Sequence, residues 1–469
     1  MRWSVHITNS PFRGAIAAAA ATLAAFACVC MAMPAAPASG ARKADPVRTT
    51  IDRALAAGKI DTEQRAGYVA SYSAARRTLA GLSGQRRAEL GYVLGTLRSF
   101  AREKRLTARL RPMFLILDRN REWWAKAGPP GSGARLTFGG SRVIFQYFPG
   151  NGLQIHPLAN FGKLNGYWQG RRNSDLRSLA SDLVSLGVER NGYLAWEYYF
   201  EFGGGRPPWV SGMAQGTAMQ ALARAGERLA DPALTEAGRR GLGAFEQRTS
   251  RGVRVPQSNG DWYALYSFAP KLYVLNGHLQ AVNGLRTHAE LSGDPAVLER
   301  FQAGDAAARQ RIASFDTGAW SLYSRPSWVT GPEANLNYHT LNRDFARNLC
   351  KGSADPAYCG AADAFTRYLK EDPTLDPQRA VPSPAVGGKG VRFKFRLSKI
   401  GRVGVVVRSG GKTYLSTSGS FAHGDRYIRW VPPKLKSERT YEYTLYAKDL
   451  AGNSSSVTGD LRVRASSSR

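Results

Sequence analysis

The chain has 469 residues, 43% of them hydrophobic and 21% charged, a globular balance in a length that points to more than one domain. Its net charge is +30, yet no zinc-finger, RNP or helix-turn-helix pattern is present, which excludes the common nucleic-acid modules. The charge reflects either compositional bias with solubility or attraction to a polyanion.

The N-terminus has the three-part layout of a secretory signal. Arg2 and Arg13 precede an alanine-rich apolar stretch from Ala15 to Met33, and Ala36-Pro37-Ala38 offers a cleavage site. Residues 1–38 are therefore expected to be removed on export, leaving a charge of about +28, because they carry two arginines and no acidic residue. A membrane anchor is the duller reading, but the stretch is only weakly apolar, and no later segment approaches a span. Export makes a secreted or cell-envelope location the expectation. It also makes an acidic polysaccharide the expected polyanion, ahead of nucleic acid. Cys28 and Cys30 lie inside the signal. Cys350 and Cys359 remain, and an exported chain is expected to join them in one local disulfide.

Residues 39–50 read as a flexible stub. Helical patterning runs from Ile51 to Ala127, interrupted at Gly81-Leu82-Ser83-Gly84 and stopped by Gly128-Pro129-Pro130-Gly131. Alternating residues from Arg135 to Phe148 predict a β-hairpin, followed by a loop rich in turn residues up to Pro157. Helix, loop and helix then repeat to about Lys370. Leu176 to Leu186, Met213 to Leu229, Leu279 to Leu291 and Val297 to Ile312 mark apolar faces, and the loops carry aromatics such as Trp196, Tyr198 and Trp209. Antiparallel helix pairs with loops gathered at one end predict an α/α barrel, or toroid, over 51–371. Residues 372–390 hold four prolines and a Gly-Gly, the composition of a linker. Period-two patterning from Val391 onward, with turns at Gly410-Gly411 and Asp449 to Asn453, predicts an immunoglobulin-like or fibronectin-type β-sandwich over 391–469.

The residues that could carry chemistry cluster in four passages. They are Trp209-Val210-Ser211-Gly212-Met213-Ala214-Gln215-Gly216; Trp262-Tyr263-Ala264-Leu265-Tyr266 with Val274-Leu275-Asn276-Gly277; Phe315-Asp316-Thr317-Gly318 through Tyr323-Ser324-Arg325; and Asn337-Tyr338-His339-Thr340. Together they resemble the catalytic region of the D-glucuronyl C5-epimerase family, with a weaker echo at Gln154 to Gly162. The resemblance spans roughly residues 145–370.

It implies C5 epimerisation of uronic-acid residues without metal or cofactor. Tyr266, Tyr323 and Tyr338 match the family's catalytic tyrosines. Tyr323 and Tyr338 would exchange protons on opposite faces of the sugar with Tyr266 assisting, and Trp209, Gln215, Trp262, Asn276, Arg325 and His339 would bind substrate. The family's carboxylate before the first tyrosine is Leu265 here; Glu197, Glu201 and Glu333 are the candidates to replace it. A phenol with an ordinary pKa of ~10 is a poor base at neutral pH, so a cation must lower it, and Arg325 is the candidate.

Each residue has a structural alternative. The tyrosines could line the core, Trp209 and Trp262 could pack helix ends, Gln215 and Asn276 could cap helices, His339 could bond backbone, and Asp316 could fix the turn at Gly318. The same carbanion could expel a leaving group at C4, which would make a lyase. A silent polysaccharide-binding protein and a glycoside hydrolase are the remaining readings.

Overall fold

The computed structural model describes residues 44–327, 331–377 and 384–466. The expected signal segment, with Cys28 and Cys30, lies outside the described residues. The chain divides into two compact units: one runs up to Phe138 and includes Phe145–Ile155, and the other holds Gly139–Ile144 and everything from His156. The helical region expected as one body over 51–371 is thus shared between two units.

The first unit contains α1 (Pro46–Ala56), α2 (Thr62–Ala80), α3 (Gly84–Arg102) and α4 (Leu110–Lys126), with β1 (Arg135–Leu136), β2 (Phe145–Phe148) and β3 (Gly152–Ile155) in one sheet of that order. Two expectations need correction. The stretch 39–50 is not a stub throughout, because the Asp45 carboxylate accepts from the Val47 amide and starts α1 at Pro46. The hairpin is three-stranded, because buried polar groups hold the following loop extended: Glu89 accepts from the Gly150 and Gly152 amides (2.9 and 2.7 Å), and Asn120 brackets Leu153.

The second unit is built from helix pairs: α5 (Pro157–Gln169) with α6 (Asn173–Ser185), then α7 (Gly212–Leu229) with α8 (Pro232–Arg239) and the short α9 (Gly243–Glu246). α10 (Leu275–Ser292) with α11 (Pro295–Arg311) and α12 (Leu336–Ser353) with α13 (Pro356–Tyr368) complete the set. Between pairs lie β4 (Val188–Arg190), β5 (Tyr193–Ala195), β6 (Arg254–Gln257), β7 (Gly260–Tyr263), β8 (Tyr273–Val274) and β9 (Ser324–Arg325).

The last three pairs repeat one design. α7, α10 and α12 each have 18 residues and end on a left-handed residue, Ala230, Gly293 or Ala354. An Asp-Pro step follows each time: Asp231, Asp294 or Asp355 caps the next helix and the proline occupies its first turn. The Cys350–Cys359 disulfide spans the third of these corners.

The leading helices are also anchored alike. The fourth residue of each is polar and buried, and it accepts a backbone amide from the segment before it. Asn160 accepts from Ile144 (2.7 Å), Gln215 from Trp196 (2.9 Å), His278 from Tyr263 (2.9 Å) and His339 from Ser321 (3.1 Å). The two imidazoles reach further, to the Gly304 carbonyl in α11 and the Phe365 carbonyl in α13. Every anchor satisfies backbone groups that a buried loop would otherwise leave unpaired. α7 and α10 cross at glycines so closely that a Cβ on Gly284 would lie 2.1 Å from the Gly216 carbonyl oxygen.

The C-terminal part is β-rich. β10 (Leu375–Pro377), β12 (Val391–Leu397) and β15 (Gly424–Trp430) form one sheet in the order β10-β12-β15. β11 (Ala385–Val386), β17 (Ser454–Arg464), β16 (Arg439–Asp449), β13 (Gly401–Ser409) and β14 (Lys412–Phe421) form a second in that order. Phe393, Phe395, Val405, Tyr441 and Leu461 fill the core of this part. The expected linker 372–390 is not plain linker, since it supplies β10 and β11; its residues 378–383 lie outside the described ones.

Gly284→Ala is expected to destabilise the protein by about 2 kcal/mol or more, because the new methyl meets backbone on a second helix and cannot rotate away. Chemical denaturation read by circular dichroism measures it.

Candidate active site

Three phenols meet at the N-terminal ends of α10 and α12. Tyr338 is the third residue of α12, whose first turn is capped by Asn335 accepting from the Tyr338 amide (2.9 Å). Tyr323 precedes β9. Its carbonyl accepts from Leu275 at the start of α10 (3.2 Å), and its amide donates to Pro332 (2.8 Å). Tyr266 follows β7 in a loop tied to the start of α7 by the Ser267 amide on the Val210 carbonyl (3.0 Å). The hydroxyls form a hydrogen-bonded row with Tyr323 in the middle. The Tyr323 and Tyr338 rings lie 4.6 Å apart. Tyr323 is buried and the Tyr266 and Tyr338 residues are half-buried, but all three hydroxyls are withdrawn from solvent, that of Tyr338 the least.

Burial pushes all three hydroxyls above the ordinary phenol range. Neighbouring phenols add to this for Tyr266, with Tyr323, Tyr338 and Tyr198 all contributing, and Tyr338 adds to it for Tyr323. No charged residue contributes at Tyr323 or Tyr338. The expectation that Arg325 lowers a tyrosine pKa is therefore overturned. Arg325 is exposed and donates to the Ser314 carbonyl.

The other expected site residues divide. Trp209 is buried but belongs to the aromatic wall of the cluster: its ring is 5.7 Å from Tyr266, it stacks on Tyr198 at 4.1 Å, and its indole N–H donates to Phe200. Asn276 sits in the first turn of α10, between Leu275, which holds Tyr323, and Gly277, which packs on Leu265. It is 2% exposed, and its Oδ1 has no partner among the described residues. Three others are spent on the fold and correct the sequence reading. Gln215 is fully buried between Trp196 and Leu194 backbone. Trp262 is fully buried and stacks 3.9 Å from His278. His339 stacks 3.7 Å from Trp320, and both of its ring nitrogens are engaged, so it is not poised to shuttle protons.

The candidate carboxylates are occupied or exposed. Glu197 is buried against Arg190 (2.7 Å), and Glu201 is exposed. Glu333 accepts from the Ile400 and His423 amides (both 2.9 Å) of the β-rich part. Leu265, at the carboxylate position, packs against Gly277, where a Cβ would come within 3.0 Å of it. Asp316 does fix its turn, accepting from the Gly318 amide at 2.8 Å.

Sequence reasoning named Tyr198 only as one of the loop aromatics, in the run Trp196-Glu197-Tyr198-Tyr199, and gave it no part in the site. Its electrostatic influence reaches Tyr266, and its hydroxyl accepts from the Leu158 amide at the start of α5 (3.4 Å).

Residues 190–367 match the family described as D-glucuronyl C5-epimerase C-terminus. All three phenols, Trp209 and Asn276 lie within that match. The match covers less than half of the chain and agrees with the motif resemblance. Among solved structures, cellobiose 2-epimerase from Spirochaeta thermophila is 14% identical, with 61% of this chain and 74% of that one covered at a TM-score of 0.38. The endo-beta-1,4-glucanase CMCax from Acetobacter xylinum is 11% identical, with 36% of this chain covered at a TM-score of 0.29; this chain spans about half of that enzyme, 52%. Both overlaps are loose, and neither says what this chain acts on.

Burial pulls the His339 pKa from the ordinary 6.5 down to about 4. The native ring is then neutral at a pH where the unfolded chain binds a proton, so stability falls as pH drops from about 6.5 towards 4. The loss is about 3 kcal/mol for this residue. His339→Gln should be less stable at pH 7 and should lose less on acidification than the parent, as measured by urea midpoints at pH 7, 5.5 and 4.5.

Proposed function

We propose that the chain is an exported carbohydrate epimerase that inverts C5 of uronic-acid residues in an acidic polysaccharide. The observation that carries this reading is the hydrogen-bonded row of three phenols inside the epimerase-family match.

The reaction breaks the C5–H bond and leaves the electron pair on C5, delocalised into the adjacent carboxylate. Reprotonation on the opposite face completes inversion. The order of the row shifts roles within it, because Tyr323 bonds to both neighbours. Tyr266 and Tyr338 face the sugar, one taking the proton as phenolate and the other giving one back. Tyr323, bonded to both, passes a proton between them and resets the pair. The substrate carboxylate must be quieted for C5–H to ionise. In place of Arg325, the first turn of α10, which has no side-chain cap, and the carboxamide of Asn276 serve this role. The Asn276 side-chain N–H then donates to the carboxylate.

The recurrence of α7–α8, α10–α11 and α12–α13 supports an α/α toroid, with α5, α7, α10 and α12 inside. Two sheets that share one core, antiparallel except for the parallel β11–β17 pair, support an immunoglobulin-like reading of the region from Val391. The first 38 residues are proposed as a cleaved signal, which places the enzyme outside the cytoplasm.

Incubating polymers of glucuronate, mannuronate and galacturonate with the protein in deuterated water tests the reaction. C5 deuterium in recovered sugar is expected with at least one polymer, and Tyr323→Phe and Tyr338→Phe should lower incorporation at least ~100-fold while leaving polymer binding intact. Because the phenols are raised, kcat/KM should climb with pH from 7 to 9. No deuterium with any polymer rejects the epimerase. An ultraviolet band from an unsaturated product would identify the lyase instead.

A further inference from the structure

We propose that the outer face of the β10-β12-β15 sheet is a second binding surface for the acidic polysaccharide, separate from the phenol cluster. The sequence of β12, Val-Arg-Phe-Lys-Phe-Arg-Leu, alternates buried and exposed without a fault. Val391, Phe393, Phe395 and Leu397 enter the core, so Arg392, Lys394 and Arg396 all point to solvent. The register with β15 sets Arg392 opposite Arg429, and Lys394 opposite Tyr427. Arg396 lies between Asp376 and Asp425 on the flanking strands, so its charge is offset. The other three cations are not offset, and among the described residues none of them pairs with a carboxylate.

Two arginines directly across an antiparallel pair repel and weaken the sheet. A fold has no reason of its own to place them there; a polyanion lying across the strands turns the repulsion into attraction. At the centre is Tyr427, 51% exposed, with the Arg392 guanidinium 4.7 Å from its ring centre. A flat ring framed by cations suits a pyranose that stacks its apolar face while its carboxylate meets an arginine. Same-face residues repeat about every 7 Å along a strand and strands lie about 4.8 Å apart, giving a rigid two-dimensional lattice of charge for a linear polymer. Nucleic acid fits less well, because a single exposed tyrosine cannot stack successive bases. The choice of polymer rests on the epimerase reading; the existence of the surface does not.

The test uses the full chain and immobilised polyglucuronate, with Kd measured from 25 to 200 mM NaCl. The triple variant Arg392→Gln, Lys394→Gln, Arg429→Gln should weaken binding at low salt about tenfold or more and flatten the dependence of log Kd on log salt. Tyr427→Ala should weaken it several-fold with the salt slope unchanged. A triple variant with the same charge loss elsewhere, Lys59→Gln, Lys126→Gln, Arg177→Gln, should stay within about twofold of the parent. Equal losses in the two triple variants would mean diffuse charge and overturn the proposal, as would no loss in either. Duplex DNA displacing the polymer more effectively at equal charge would also overturn it. If the surface binds polymer but no C5 deuterium appears, the catalytic reading fails and the binding surface stands.

Discussion

One interaction recurs wherever the helical part of this protein needs order: a buried polar side chain, one turn into a leading helix, holds the amide of the segment before it. Asn160, Gln215, His278 and His339 meet that requirement with two chemistries, a carboxamide oxygen in the first two and an imidazole nitrogen in the last two. Each fixes the height of a loop relative to a helix N-terminus. Loops so held can carry functional groups in register, as loops on a rigid scaffold do elsewhere. Tyr323 and Tyr338 are direct beneficiaries, because His339 pins Ser321 two residues before one phenol and lies immediately after the other. A side chain that only bonded backbone would look dispensable in a survey of catalytic groups. Here the geometry of those groups hangs on it.

The electrostatics of the phenol row follow from what surrounds it. With desolvation dominant and no cation contributing at Tyr323 or Tyr338, the phenolates are scarce but strongly basic. For a carbon acid as weak as C5–H that is a workable compromise, since what the base loses in population it regains in driving force. The row is not symmetric: burial and three neighbouring phenols lift Tyr266 well above the ordinary range, whereas burial alone lifts Tyr338 and its bond to Tyr323 opposes the rise, so Tyr338 is the end that ionises more readily.

Much of this was legible in the sequence, and the misses have causes. The four helical faces and the two C-terminal turns follow from periodicity and turn residues, and the grouping of the three tyrosines follows from the family resemblance. Gln215, Trp262 and His339 were read as sugar contacts because they sit inside the motifs that carry the phenols; the chain keeps them close because they hold the loops. The corners Ala230-Asp231-Pro232, Gly293-Asp294-Pro295 and Ala354-Asp355-Pro356 repeat about every sixty residues, and the sequence reading passed over them because the surrounding side chains have diverged. β14 and β17 escaped notice for a different reason. β14 has no buried residue, and β17 alternates in burial but places Ser455 and Gly459 at inward positions, so apolar alternation is weak and pairing with β13 and β16 defines them instead.

The β-rich part is tied closely to the helical part. Ile400 and Lys399, adjacent residues entering β13, grip the helical part at two points. The Ile400 amide donates to Glu333, in the segment that pairs with Leu322 and leads into α12. Lys399, 1% exposed, donates to the Tyr368 carbonyl (2.8 Å) and to Glu371, pairs with Asp449 at 3.0 Å, and lies 5.8 Å from the Trp320 ring that stacks on His339. A buried ammonium is tolerated only when its charge and all its protons are satisfied, and these partners come from both sides of the junction. Lys399 is therefore stable in its site only while the two parts stay together. The same contact that makes the β-rich part inseparable runs, through Trp320 and His339, to the turn that carries Tyr338.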